Sequence, residues 1–196
     1  MQNEILKNTV IITVIALICG VLLGTVYQVT AGPIAEQERL TKENAYREVM
    51  ENAASFEEYA GFDEEAAKTW IHEHGDYHQN TSVSEVIEAK DASGASIGYV
   101  LNVVAGGGYG GDIVFAMGID NDGNVTGISI TQIDETPGLG MRAKTDPSFL
   151  EQFYGKGKDA FTLGDDINAL TSATFTSRAV TNGVNAALNY YGGNLK

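Results

Sequence analysis

The feature that most constrains this chain is an uncharged apolar stretch near its N-terminus. No Asp, Glu, Lys or Arg lies between Lys7 and Glu36, and residues 10–26 run VIITVIALICGVLLGTV. With its flanking residues, the stretch reaches the roughly 20 residues that a membrane-spanning helix needs. We therefore predict a transmembrane helix at 9–29, preceded by a short cytoplasmic head at 1–8.

Two features could give this stretch another meaning. Val29-Thr30-Ala31 resembles a signal-peptidase site, but the apolar stretch exceeds the about 7–15 residues of a signal peptide. A lipoprotein site at Cys19 is disfavoured by the bulky Leu17 and Ile18 before it. The stretch is therefore predicted to remain as an anchor.

Basic residues near the two ends of the span do not set its orientation. Lys7 and the amino terminus precede the span, whereas Arg39 and Lys42 follow it, so the positive-inside rule gives no decisive asymmetry. A short charged head is easier to retain than to export. We therefore predict an inner-membrane protein with its N-terminus inside and its large domain on the outer face.

Composition excludes several classes of partner and site. About 165 residues follow the span, which is enough for one domain with its own core. The formal net charge of −14 argues against binding to nucleic acid. The single cysteine, Cys19, lies in the span, so the large domain has neither a disulfide nor a thiolate-bound metal. Three histidines within 72–78 lack a regular ligand spacing, and no metal site is predicted.

The segment after the span has a helical pattern, and residues 30–79 are assigned to a helical stalk or cap. The span should end at Gly32-Pro33, and a second helical segment is expected at 63–71. Between them a polar helix should run to about residue 50. Its apolar face would be formed by Tyr46, Val49, Met50 and Ala53.

From residue 80 onward the sequence is typical of strands and turns, and 80–196 is assigned to one α+β domain. Alternating segments separated by turns rich in Asp and Gly predict two hairpins, and therefore an antiparallel sheet. The four predicted strands are 84–90, 96–105, 112–119 and 125–133. Helices are predicted at 147–154 and 174–190, and the second has an apolar face that can pack on the sheet.

The glycines at 106–111 match the GxGxxG pattern of dinucleotide-binding folds. That fingerprint needs a helix directly after the glycines, whereas residues 113–117 are strand-like. We therefore predict a bend that allows close backbone approach to some ligand, and not a dinucleotide site.

Two further segments carry the candidate chemistry. Residues 171–177 hold five hydroxyl side chains in seven positions, just ahead of a helical pattern. Hydroxyls and free N–H groups at a helix start suit a phosphate, although an ordinary N-cap would use the same residues. Within 134–140, Leu139 lies between glycines and could cover a flat ring, although Pro137-Gly138 also suits a plain type II turn. Together the segments indicate a ligand with a planar head and a phosphate tail.

With these motifs the chain resembles the G subunit of the Rnf complex, a membrane-bound ferredoxin:NAD oxidoreductase that couples electron flow to Na⁺ or H⁺ transport. It is also similar to the C subunit of the sodium-translocating NADH:quinone reductase. The likeness covers nearly the whole chain. It rests on the span followed by GPIAEQ at 32–37, on GYGGDI at 108–113, on ETPGLG at 135–140 and on TSATFTS at 171–177.

The resemblance implies an FMN-binding domain that works as an electron relay among other Rnf subunits, without catalytic residues of its own. FMN would be joined to Thr174 by a phosphodiester bond, which a separate flavin transferase makes from FAD with release of AMP. The other cofactor-binding residues implied are Thr171, Ser172 and Ala173 at the phosphate, Thr136, Gly138 and Leu139 at the ring, and Glu135 and Tyr109 in the same loops.

Two positions differ from the usual family pattern. Ser172 stands where glycine is usual, and Asn168 stands where an aspartate often lies. Serine tolerates positive φ less well than glycine, so Ser172 bears on the backbone of the loop. Two alternative functions stay open: a membrane-tethered scaffold without a cofactor, which a flavin spectrum would distinguish, and the quinone-reductase subunit, for which this chain is short.

Overall fold

The computed structural model describes residues 2–157 and 160–196. The chain divides into two compact units, Met1–Thr41 and Lys42–Lys196. Helix α1 covers Gln2–Val49. It is the only helix in the described residues that is long and apolar enough to cross a membrane, with a mean hydropathy of 2.6 in its most apolar window.

Helix α1 does not break where the sequence suggests that the span ends. Pro33 lies inside the helix, so the predicted span and the predicted polar helix form one continuous element. Proline removes one N–H donor and crowds the preceding turn, which usually kinks or ends a helix. Apolar helices that cross membranes tolerate such a residue because local adjustment and nearby hydroxyls satisfy the freed groups.

The large unit is built on a five-stranded antiparallel sheet whose spatial order follows the chain. This confirms the predicted α+β class and both hairpins. The strands are β1 Ser55–Glu58, β2 Ser82–Lys90, β3 Ser96–Ala105, β4 Ile113–Asp120 and β5 Val125–Gln132. Strand β1 lies in the segment assigned to a helical stalk or cap, and it pairs with β2, so that segment is not wholly helical. It is a short edge strand in which only Phe56 is half-buried, and such a strand leaves little pattern in a sequence.

The helices of the large unit are α2 Glu64–Glu73, α3 Arg142–Thr145, α4 Pro147–Leu150 and α5 Thr174–Asn194. Asp63 caps α2 by accepting from the Ala66 N–H at 2.8 Å. The predicted helix at 147–154 is α4 followed by a short 3₁₀ turn at Glu151–Phe153. Helix α3 is absent from the prediction because it is a single turn.

The main core lies between one face of the sheet and helices α2 and α5. Leu101, Phe115 and Met117 of the sheet are fully buried there, as are Val180 and Val184 of α5. Gly183 lets α5 approach closely, since a side-chain carbon there would meet Ala105 and the Phe115 ring. The apolar face predicted for α5 is therefore the face that covers the sheet.

The other face of the sheet is covered by the last turns of α1. Tyr46, Val49 and Met50 are buried there, which confirms three positions of the predicted apolar face, and Ala53 packs beside them after the helix ends. Gly118 and Gly127 are paired across β4 and β5, and a side-chain carbon on either would collide with Val49 or Met50. The glycine pair therefore allows the helix end to lie directly on the sheet.

Candidate functional site

Three segments of the large unit converge at the start of α5, and we call them together the loop cluster. They are residues 106–112 between β3 and β4, residues 133–141 after β5, and residues 171–177. Since residues 106–112 lead into a strand and not into a helix, the rejection of a dinucleotide fingerprint is confirmed. All the cofactor-binding residues expected from the sequence lie in these three segments.

Glu135 ties the first two segments together. Its side chain is only 6% exposed, and its Oε1 accepts from the Tyr109 N–H at 2.7 Å and from the Gly110 N–H at 3.3 Å. Backbone N–H groups that donate to a buried carboxylate form strong, charge-assisted hydrogen bonds. Glu135 therefore lies beneath the loops and fixes their backbones. Sequence reasoning placed it among the ligand contacts and did not anticipate this role.

Gly140 brings the third segment into the cluster. A side-chain carbon at this position would meet Oε2 of Glu135 and would lie 2.5 Å from the Thr176 Oγ1. Gly110 is similarly close to the Asp134 backbone carbonyl. Glycine is required at both positions because the Asp134 backbone lies against Gly110, and the Glu135 and Thr176 side chains lie against Gly140.

The hydroxyl side chains of 171–177 divide into exposed and buried groups. Thr171, Ser172 and Thr174 are exposed, whereas Thr176 and Ser177 are buried. The Ser177 hydroxyl donates to the Ala173 carbonyl and accepts from the Leu170 N–H, both at 2.9 Å. Ser177 is therefore committed to the local fold, and the Thr174 side chain is accessible.

Helix α5 starts at Thr174 with an open N-terminus. Its N-cap residue is Ala173, and no described side chain hydrogen-bonds to the first turn as a cap. The first turn also contains no acidic residue, although the chain has 26 Asp and Glu. A helix start with free N–H groups and a positive dipole end favours an anion. Ala173 itself is buried, so it would contribute through its backbone.

Ser172 adopts a backbone conformation that favours glycine. Its φ of 61° is the only positive value for a non-glycine residue in the described part of the chain. The left-handed region costs an L-residue about 1–2 kcal/mol. The loop therefore holds the conformation that the family's usual glycine would provide, and serine adopts it with strain.

Apolar side chains project from each segment of the loop cluster. Tyr109 is 76% exposed, Leu139 is 42% exposed and Phe175 is 60% exposed. Among the described residues of 42–196, the one other exposed large apolar side chain is Tyr154, at 37%. Phe175 was not predicted as a site residue, although an aromatic residue beside the expected attachment threonine was the available signal.

The loop cluster has the features that FMN requires. Exposed apolar side chains can cover a ring. Gly138 has a φ of 77°, and no heavy atom lies within 4 Å of the position that a Cβ atom would occupy there. The space beside Gly138 is therefore open. An exposed hydroxyl and an uncapped helix start can hold the phosphate. Thr136 closes the turn at Gly138, since its carbonyl accepts from the Leu139 N–H at 3.1 Å.

The histidine-containing segment has a separate structure. The His74 ring stacks on Trp70 with centroids 4.1 Å apart, and His72 still belongs to α2. Within residues 2–157 and 160–196, no group of three or more His, Cys, Asp or Glu side chains is arranged to hold a metal.

Comparisons with known proteins match both parts of the chain. Residues 108–189 match the FMN-binding domain family, and residues 1–49 match the RnfG N-terminal region. The G subunit of the Na⁺-translocating ferredoxin:NAD⁺ oxidoreductase complex of Acetobacterium woodii is 33% identical, covering 95% of this chain and 91% of the relative. The G subunit of the proton-translocating ferredoxin:NAD⁺ oxidoreductase complex of Clostridium ljungdahlii is likewise 33% identical, with the same shares covered.

A crystal structure of Shewanella oneidensis NqrC has 22% sequence identity and a TM-score of 0.47, covering 73% of this chain and 82% of that one. The curated relatives are matched over almost their whole length, and the FMN-binding match contains every predicted cofactor-binding residue. The chain therefore belongs to the family of Rnf complex G subunits and carries that family's FMN-binding domain.

Proposed function

We propose that this protein is the membrane-anchored electron-transfer subunit of an Rnf-type ferredoxin:NAD oxidoreductase, with FMN attached covalently to Thr174. One observation carries the attachment site. Thr174 is the exposed first residue of a 21-residue helix whose N-terminus is uncapped and free of acidic residues. Of the hydroxyls in 171–177, it alone combines exposure with the first helical position.

The attachment is a transfer of the FMN phosphoryl group from FAD. The Thr174 hydroxyl oxygen forms a new bond to phosphorus, the pyrophosphate bond of FAD breaks, AMP leaves, and the hydroxyl proton is released. A separate flavin transferase would perform this step. The resulting phosphodiester keeps a negative charge, which the start of α5 stabilises.

The chain's own residues would then orient the cofactor. Bound FMN supplies the redox chemistry, and the protein supplies position and electrostatics. Thr171, Ser172 and the Ala173 backbone would hold the phosphate end. Leu139, Thr136 and Tyr109 would border the ring, with Gly138 leaving room for it. Glu135 would act from below by fixing the loops on which these residues lie.

The N-terminal helix supports a single-pass arrangement, and the orientation is part of the proposal. Residues 9–29 would lie in the membrane, residues 1–8 would form the cytoplasmic head, and the FMN-binding domain would stand on the outer face. Residues 30–79 would connect the two, contributing β1 and α2 to the domain. Other Rnf subunits would donate and accept the electrons, and the coupling ion would be Na⁺ or H⁺, as in the names of the two relatives.

The test compares threonines that differ in exposure and position. The full-length chain is produced with a flavin transferase, denatured, and examined by flavin fluorescence of the denatured band and by intact mass. Thr174→Ala should lose all bound flavin while keeping its fold. Thr176→Ala, which changes a buried threonine of the same segment, should retain it. Flavin that survives denaturation in Thr174→Ala would contradict the assignment.

A second variant tests the ring position. Leu139→Asp should keep the covalent bond, because the attachment segment is untouched. It should shift the flavin midpoint potential to a lower value, since a carboxylate near the ring disfavours added electrons. Leu139→Asn serves as the uncharged control. An unchanged potential and visible spectrum would show that Leu139 does not contact the ring.

A further inference from the structure

We propose that Arg178 is the cationic partner of the phosphodiester on Thr174, an inference that rests on the proposed linkage. Arg178 lies four residues after Thr174 in α5. Side chains four apart on a helix are neighbours, with Cβ atoms about 5–6 Å apart. Long helical side chains also lean toward the N-terminus and cover the preceding turn. For Arg178, that turn is the one that starts with Thr174.

The burial pattern of α5 places the two residues on one solvent-facing stripe. Thr174 and Arg178 are exposed and Asn182 is half-buried, at successive spacings of four. Between these positions Phe175 is exposed, and the other side chains are buried: Thr176, Ser177, Ala179, Val180 and Thr181. A phosphate on the Thr174 oxygen would therefore extend on the side of the helix where the Arg178 side chain lies.

The charge of Arg178 is uncompensated in the described part of the chain. The other arginines of the large unit have carboxylate partners, Arg47 with Glu43 and Arg142 with Asp146, and so do two of its lysines, Lys42 with Glu85 and Lys90 with Glu57. Within the described ranges no such partner, and no hydrogen-bond acceptor, is found for Arg178. The net charge of the chain is −14, yet this arginine, one turn after the uncapped start of α5, has no carboxylate partner among the described residues. The phosphate of the ligand would supply that partner.

The position of Arg178 also opposes the helix dipole. The positive end of the helix dipole repels a cation at the helix N-terminus. If an anion binds there, it is attracted both to the dipole and to the cation, and the repulsion is offset. The planar guanidinium can donate two parallel hydrogen bonds to phosphate oxygens, which a lysine cannot do. Arg178 should therefore slightly destabilise the flavin-free protein and stabilise the flavin-bearing one.

The opposite effects of Arg178 on the stability of the flavin-free and flavin-bearing proteins provide the test. Wild type and Arg178→Gln are produced as full-length chains in detergent, with and without a flavin transferase, and their Tm values are measured. In the flavin-bearing form the variant should melt about 2–4 °C lower than wild type, the shift typical of one lost charged contact in a domain of this size. In the flavin-free form it should melt at the same temperature or higher. Arg178→Lys should recover part of the loss.

The controls separate this inference from the linkage itself. Lys68→Gln removes an exposed charge from α2 and should change Tm equally with and without flavin. Intact mass establishes that each flavin-bearing sample carries the adduct. If wild type carries no adduct at all, the linkage and the role of Arg178 both fail. If the adduct is present and Arg178→Gln shifts Tm equally in both forms, the linkage stands and the role of Arg178 is overturned.

Discussion

Two regions of the large unit use their polar groups in opposite ways. Where the end of α1 lies on the sheet, polar side chains bond to each other. The Asn102 Nδ2 donates to the Tyr46 hydroxyl oxygen at 2.5 Å and to the Glu85 Oε2 at 3.0 Å, and the Lys42 ammonium reaches the same oxygen at 2.8 Å. In the loop cluster the start of α5 is uncapped, Ser172 is strained and apolar rings are exposed.

The difference shows which region is stable without a ligand. Buried polar groups that are fully paired stabilise one structure and need no further partner. Open N–H groups, exposed apolar side chains and backbone strain reduce stability unless a ligand uses them. The helix end therefore supports the domain, and the loop cluster is arranged for a cofactor.

The largest difference in unfolding free energy between the two regions should come from replacing one tyrosine in each. Tyr46→Ala removes a buried ring that packs against Phe56 at 5.9 Å and one of the two acceptors of the Asn102 Nδ2, so it should lower the free energy of unfolding by about 3–5 kcal/mol. Tyr109→Ala removes an exposed ring and should change it by less than about 0.5 kcal/mol. Denaturant unfolding of the flavin-free chains measures both. Equal losses would remove the distinction between the regions.

Glu135 sharpens the comparison because it is a buried residue within the open region. Glu135→Ala leaves the Tyr109 and Gly110 N–H groups without their acceptor, and should cost about 1–3 kcal/mol of unfolding free energy. Glu135→Gln keeps an acceptor oxygen and should cost less. Faster hydrogen exchange at these two amides in Glu135→Ala would locate the effect. Unchanged exchange would show that the carboxylate does not hold the loop.

Ser172 tests whether the loop cluster stores strain. Ser172→Gly should raise the free energy of unfolding by about 1 kcal/mol, because glycine adopts positive φ without the penalty that an L-residue meets. Ser172→Ala keeps that penalty and serves as the matched control, with no gain expected. A glycine variant less stable than wild type would contradict the strained conformation.

The smallest effect is a pH dependence at the end of α1. Burial raises the pKa of Tyr46, so the folded state holds this phenol neutral above the pH of about 10 at which an unfolded tyrosine ionises. Its contribution is complete below that pH and declines as the pH rises toward the folded pKa. Stability measured across this alkaline range should therefore fall less steeply in Tyr46→Phe. An identical slope would mean that Tyr46 is not buried as described.

Regular patterns made most of the fold predictable. The two hairpins follow from alternating apolar residues around turns such as 120–124, where the Asp120 carboxylate accepts from the Asp122 and Asn124 N–H groups. The apolar spacing of Tyr46, Val49 and Met50 likewise identified the helix face on the sheet. Such local patterns persist in the structure because each one determines which face is buried.

The remaining features depend on contacts that no local pattern encodes. Strand β1 forms because it pairs with β2. Pro33 does not end α1, because the helix continues on both sides of it. Glu135 holds residues 106–112 through hydrogen bonds between segments that are distant in the sequence. Neither Phe175 nor Arg178 is one of the hydroxyl residues that mark the segment, and their placement depends on which side of α5 faces the core. The motifs identified the segments of the candidate site, and the structure shows the hydrogen bonds and close contacts that hold those segments together.

The most direct measurement is peptide mass spectrometry of the full-length chain after production with a flavin transferase. Trypsin should release a peptide covering 159–178, which includes every hydroxyl of the 171–177 segment. Covalent FMN on Thr174 predicts that fragments ending at Ala173 have their unmodified mass, while fragments that include Thr174 carry the added FMN phosphoryl group. An adduct on another residue, or a peptide without flavin beside an active transferase control, would contradict it.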